Sequence, residues 1–95
     1  MKFYKDQTLN DGQVLTDVFK ENQRQVAKWG IQTHSLFEWQ NYLTEELGEV
    51  AKAIAEFEYR GGTKEEVYKE AIQVATLALK IAEMVKYGYE KETRS

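Results

Sequence analysis

The chain contains no cysteine and no proline, and only six of its 95 residues are glycine. Without cysteine there are no disulfides and no thiolate zinc sites, an absence that is also compatible with a cytoplasm. Without proline, and with so little glycine, helices can run long and uninterrupted. No apolar run approaches the ~18 residues of a membrane span. The opening stretch MKFYKDQTLN lacks the apolar middle of a secretory signal, so a cytoplasmic location is expected. Excess positive charge is missing too. The formal net charge is -3 and the pI is near 5.2, which argues against nonspecific nucleic-acid binding as the main task. Repeats, linkers and low-complexity stretches are absent. What remains is ordinary for one globular domain, with 42% hydrophobic and 31% charged residues.

The punctuation predicts an all-α chain of three helices, over about 11–29, 36–59 and 64–87, followed by a charged, frayed tail over 88–95. Asn10-Asp11-Gly12 reads as a turn and cap, and Gly30 sits where a C-terminal glycine belongs. Ser35 with Glu38 three residues on has the capping-box pattern, and Thr63 with Glu66 repeats it. Gly61-Gly62 ends the second helix and Gly88 the third. The connections are short, so neighbouring helices are expected to be roughly antiparallel.

Carboxylates fall where they are costly. On a wheel advancing ~100° per residue from Leu47, the residues Leu36, Leu43, Val50 and Ile54 cluster near zero, and Trp39 and Phe57 form a shoulder. Glu46 falls just beyond that shoulder, with Tyr42 and Ala53 further round, so it stands inside a broad apolar arc. Glu49 lies one turn along at the arc's edge, and Glu45 on the far side. In the third helix Val67, Ala71, Val74, Ala78, Ile81 and Val85 form the expected stripe. Glu70 sits between Val67 and Val74, with Gln73 and Glu66 on the shoulder. A lone ionised carboxylate away from water must be paired, protonated or metal-bound. No lysine or arginine occupies either arc. A divalent cation between the two helices is therefore expected. Oxygen ligands favour magnesium, manganese or calcium, while a di-iron bundle would need Glu-x-x-His repeats and the chain has one histidine, His34. Magnesium is commonly shared with substrate phosphates, which points to a bound nucleotide or similar ligand. The absence of a G-x-x-x-x-G-K-[ST] loop excludes a P-loop enzyme.

The run EELGEVAKAI followed by KEAIQVATLALKIAE, with the lead-in QRQVAKWGIQTHSLFEW, resembles the MazG-like all-α nucleoside triphosphate pyrophosphatase superfamily, in its small single-domain form. The resemblance spans about residues 22–85. It implies cleavage of a nucleoside triphosphate to the monophosphate and pyrophosphate, possible service in cleansing nucleotide pools, and Mg2+ or Mn2+ as cofactor. Glu46 and Glu49 match the family's E-x-x-E and Glu70 the first position of its E-x-x-D. Gln73 stands in place of the aspartate, which removes one negative charge. The resemblance thus implies Glu46, Glu49, Glu70 and Gln73 as metal-site residues. Glu45 or Glu49 would orient the attacking water, Arg24 and Lys28 would contact phosphate, and Trp29 would stack on a base. Trp39 reads as a core anchor and His34 as a polar loop residue. A non-catalytic nucleotide-sensing or partner-binding dimer is the alternative.

The third helix carries a second apolar side, Tyr68, Ile72, Ala75, Leu79 and Ala82. Two other helices cannot cover a helix that is apolar nearly all round. The bundle is therefore expected to be completed by a homodimer, with a dimer of dimers as the larger form.

Overall fold

The computed structural model describes residues 2–7 and 9–88, so the expected tail, apart from Gly88, lies outside the described residues. The chain forms α1 (Gly12–Trp29), α2 (Leu36–Tyr59) and α3 (Lys64–Tyr87), with no strand among the described residues. Local chemistry sets the ends. Asp11 caps α1 by accepting from the backbone N–H of Gln13 at 2.8 Å. At α2 the capping box is complete: Ser35 Oγ accepts from Glu38 N–H at 3.1 Å, and Glu38 Oε1 accepts from Ser35 N–H at 2.9 Å. Thr63 caps α3 through Glu66 N–H at 3.2 Å, but the Glu66 carboxylate turns to Lys69 at 3.6 Å, so this box is half made. Gly61 takes φ 79°, and the Gly62 N–H returns to the Glu56 carbonyl at 2.8 Å. A Cβ on Gly62 would lie 2.9 Å from Glu56 Cβ, so the turn admits no side chain there.

α3 is central. α2 packs along one side of it and α1 along another, while α1 does not pack on α2. The direction of the chain alternates as expected, but the packing does not follow from it. Bonds from Tyr68 to Asp17, Thr76 to Val18 and Lys80 to Gln25 climb both helices together, so α1 lies parallel to α3. The connection over 30–35 keeps α1 clear of α2, whereas the tight turn over 60–63 lays α3 back along α2. The result is a trough with α3 as its floor and α1 and α2 as its walls.

The core is small: Val18, Trp39, Ile72 and Leu77 are buried, together with Thr76 at 1% exposure. The Thr76 hydroxyl donates to the Ile72 carbonyl at 2.8 Å, which lets a polar residue sit at the α1·α3 contact. The apolar stripes expected to form the core are covered only in part, with Leu43, Val50, Val67, Val74 and Ile81 half-buried. In α2 the seam toward α3 holds Trp39, Glu46, Val50, Ala53 and Phe57, whereas Leu36, Leu47 and Ile54 are exposed. In α3 the covered face centres near Gln73, Leu77 and Lys80, and Ala71, Ala78 and Val85 are exposed. Each seam is thus rotated by about 80–100° from its apolar centre. α1 repeats the pattern, facing α3 with Val14, Val18, Glu21 and Gln25 and leaving Leu15 and Phe19 outward. The chain exposes 7711 Å², where a monomer of 11.1 kDa is expected to expose roughly 5,700 Å². The extended segment before α1, with Phe3 and Leu9 in the open, accounts for some of the excess.

Trp39→Ala should cost about 3–5 kcal/mol of unfolding free energy by removing the largest buried side chain. Denaturation followed at fixed protein concentration checks this.

Candidate functional site

The displaced seams put polar side chains between the helices. Glu46 from α2 and Glu70 and Gln73 from α3 are each half-buried. With its amide oriented to satisfy both neighbours, Gln73 donates to Glu46 Oε1 at 2.8 Å and to Glu70 Oε1 at 3.0 Å. Two carboxylates on different helices therefore reach a single atom. Beside them a cavity of about 200 Å³ opens between the second half of α2 and the start of α3, walled by Glu49, Glu56, Glu66, Glu70 and Lys52. Glu49 and Glu70 share that groove although their own helices place them on different elements.

The electrostatics follow from this crowding. Burial pushes the Glu46 carboxyl above its ordinary 4.5, and the negative charges of Glu70, Glu49, Glu21 and Glu45 push it further the same way. Glu21 comes from α1, and sequence reasoning missed it. Its side chain is 12% exposed and its carboxylate is gripped by Arg24, with Nη2 at 2.7 Å and Nε at 3.0 Å. Gln25 adds a third donor at 2.8 Å. The signal was present as Glu21-x-x-Arg24 on the same helical face as Val14 and Val18, but only packing on α3 shows that this face is covered. Further along the trough, Lys80 Nζ donates to Gln25 Oε1 at 3.0 Å. Burial draws the Lys80 ammonium below its ordinary value, and Glu21 opposes that.

The other candidates are placed as follows. Glu45 is exposed and does not line the groove. Lys28 lies over the Trp29 ring, 4.6 Å from its centre, and Trp29 is 54% exposed; neither lines the groove. Trp39 is buried, as expected of a core anchor. His34 is more than a polar loop residue, since its ring packs edge-on against Trp39 at 4.9 Å and Tyr42 at 5.1 Å.

Among the described residues no three acidic or histidine side chains are grouped tightly enough to hold an ion unaided. The donor set nevertheless fits a hard cation that keeps several waters: two carboxylates, an amide that can present its oxygen, and a third carboxylate in the adjoining groove. It does not fit zinc or iron, which would want nitrogen or sulfur donors. No helix among the described residues is long and apolar enough to cross a membrane. No family model matches the chain, and no curated protein or solved structure compared with it matches either.

The raised Glu46 carboxyl fixes a sign. As pH rises from 4.5, the unfolded chain gives up this proton before the folded one, so stability is lost through that window and stays lost above it. Glu46→Gln should therefore raise the melting temperature by a few degrees at neutral pH in chelator, and the two proteins should converge below pH 4.5. Thermal melts across pH test it, and equal melting temperatures at pH 7 would contradict the crowding.

Proposed function

We propose that the protein is a metal-dependent nucleoside triphosphate pyrophosphohydrolase of the MazG-like kind, splitting a triphosphate into the monophosphate and pyrophosphate, and so suited to cleansing a nucleotide pool. The observation that carries this reading is the convergence of Glu46 and Glu70 on the Gln73 amide, at the positions the family motif uses. Glu46, Glu49 and Glu70 would hold Mg2+ or Mn2+ through carboxylate oxygens, and Gln73 would turn its amide oxygen inward. The ion would neutralise phosphate oxygens and polarise the attacking water.

The chain's own residues supply the rest. Glu49 lines the groove and is free to orient a water and take its proton, whereas the exposed Glu45 stands outside. That favours Glu49 for the role. Lys28 and Trp29, side by side at the end of α1, stand outside the groove, so its geometry gives no support to a phosphate or base contact by either.

The assembly belongs to the same proposal. A second copy would cover Leu36, Leu47 and Ile54 of α2 and the outer side of α3, giving a dimer or a dimer of dimers. Leu36, Leu47 and Ile54 are each about half exposed, so this side offers apolar surface for a partner to cover.

The competing reading is a nucleotide-binding dimer without turnover. Gln73 favours it, because a neutral amide satisfies both carboxylates with no ion present.

With Mn2+ or Mg2+, some member of a panel of canonical and modified triphosphates should release pyrophosphate. Glu46→Gln and Glu70→Gln should each cut kcat/KM by about 100-fold or more. No release from any triphosphate would leave the binding module standing and remove the enzyme. Separately, sedimentation at micromolar concentration should show a dimer or tetramer, and Leu47→Glu with Ile54→Glu should give monomers. A wild-type monomer would overturn the assembly.

A further inference from the structure

The segment ahead of α1 reaches from one wall of the trough to the other. The bond from Tyr68 to Asp17 sets the start of α1 beside the start of α3, and the turn over 60–63 brings the end of α2 there too. From that end residues 2–7 run without helix or strand, and the Lys2 ammonium stands over the Phe57 ring, 4.9 Å from its centre. α1 and α2 do not pack on each other, so this contact joins two walls that are otherwise apart. It lies beside the groove, which is lined by Glu56, next to Phe57 in sequence, and by Gly62 and Thr63 of the turn.

That contact is too weak to hold the segment by itself. All six residues are exposed, Phe3 at 90% and Tyr4 at 74%, so no apolar side chain anchors them. Among the described residues no hydrogen bond or ion pair ties 2–7 to a helix, and Gln7 donates only to the Lys5 carbonyl, at 3.3 Å. An exposed cation–π contact returns less than is lost in fixing the backbone of one residue, and six are laid out here. Nor do the groove's carboxylates supply the difference. Among the described residues neither Lys2 nor Lys5 meets one of them at bonding distance, although Glu49, Glu56, Glu66 and Glu70 all stand there. Both ammonium groups are left for an anion.

We propose that residues 2–7 form a strap that closes over a nucleotide in the groove, with Lys2 latched on Phe57 and Lys5 set against the outer phosphates. The inference rests on the nucleotide reading above and deepens it, because it names a phosphate contact at the end of the trough where Lys28 and Trp29 do not reach. In the empty protein the strap leaves and returns freely. With the ligand in place, charged hydrogen bonds to phosphate add what the latch lacks, and the strap stays down.

Trypsin reads the strap in the whole protein, because it cuts after Lys2 and Lys5. With Mn2+ and an α,β-nonhydrolysable triphosphate, cleavage after Lys5 should slow about tenfold, since proteolysis tracks the open population. Phe57→Leu keeps the apolar bulk without the ring's pull on the cation, so most of that protection should vanish, with thermal melts to confirm the fold. Lys2→Met with Lys5→Met alters only exposed side chains and should weaken the triphosphate about tenfold in calorimetry, as loss of a charged contact does. If wild type binds the triphosphate but its arm is cut at an unchanged rate, the strap is overturned and the nucleotide reading stands. Full protection in Phe57→Leu, or undiminished affinity in the double lysine variant, overturns it in the same way. No triphosphate bound by wild type overturns the strap and that reading together.

Discussion

The Gln73 amide, oriented to donate to both carboxylates, ties α2 to α3 where glutamates interrupt their apolar seam. Each of its two N–H bonds goes to a different helix's glutamate. Without those donors Glu46 and Glu70 would face each other across a half-buried seam with their charges unanswered, and the like-charge cost falls steeply with distance but not to zero at this range. The position of Gln73 on α3 matters as much as its chemistry. It lies between the side that packs on α1 and the side that packs on α2, so the floor of the trough is polar where a lone three-helix chain would be expected to be most apolar. Glu21, Gln25 and Lys80 continue that polar line toward the other end.

This arrangement inverts the usual relation between stripe and core. A helix buries its apolar side because that is where burial stabilises most, at about 25 cal/mol per Å². Here part of the apolar side of each helix looks outward while the seams also carry glutamates, glutamines and a lysine. Only a few large side chains are fully enclosed, and Thr76 sits among them. Such a chain is poorly stabilised by itself and has surface suited to stabilising an assembly. The proposed dimer would answer a need that the monomer's own packing leaves open. It is the same need that the absence of proline and the long helices foreshadow, since extended helices present continuous faces to a second copy.

What could be read in the sequence divides along the line between local and tertiary physics. Helix ends were legible because caps act within a few residues: Ser35 with Glu38, Gly30 and Gly61 each do their work inside one turn. Glu46 and Glu70 stood out because periodicity along one helix is enough to show a charge among apolar neighbours. The rotation of the seams was not legible. An apolar stripe around Leu47 or Val74 says which face avoids water, and it cannot say whether the same chain or another covers it. Glu21 was hidden for a related reason. With Arg24 one turn on, it looks like a surface pair, and its burial comes from α1 lying parallel on α3 rather than on its neighbour in sequence.

On the proposed reading, ion and assembly act on the same seam and are linked. Carboxylates held close without a cation push α2 and α3 apart, at a seam where burial first and neighbouring carboxylates second hold the Glu46 carboxyl above its ordinary value. A divalent ion between them removes that push, and a second copy clamped over Leu36, Leu47 and Ile54 opposes it from outside. Two ligands that favour the same closed arrangement must each strengthen the other's binding by an equal factor. The glutamine then has a reason beyond tolerance. An aspartate at its place would add another negative charge to a trough already holding Glu21, Glu46 and Glu70, and the empty site would lean harder on the assembly to stay closed. The neutral amide lowers the charge the ion sees but keeps the helices together before the ion arrives, which trades some affinity for a groove that is shaped in advance.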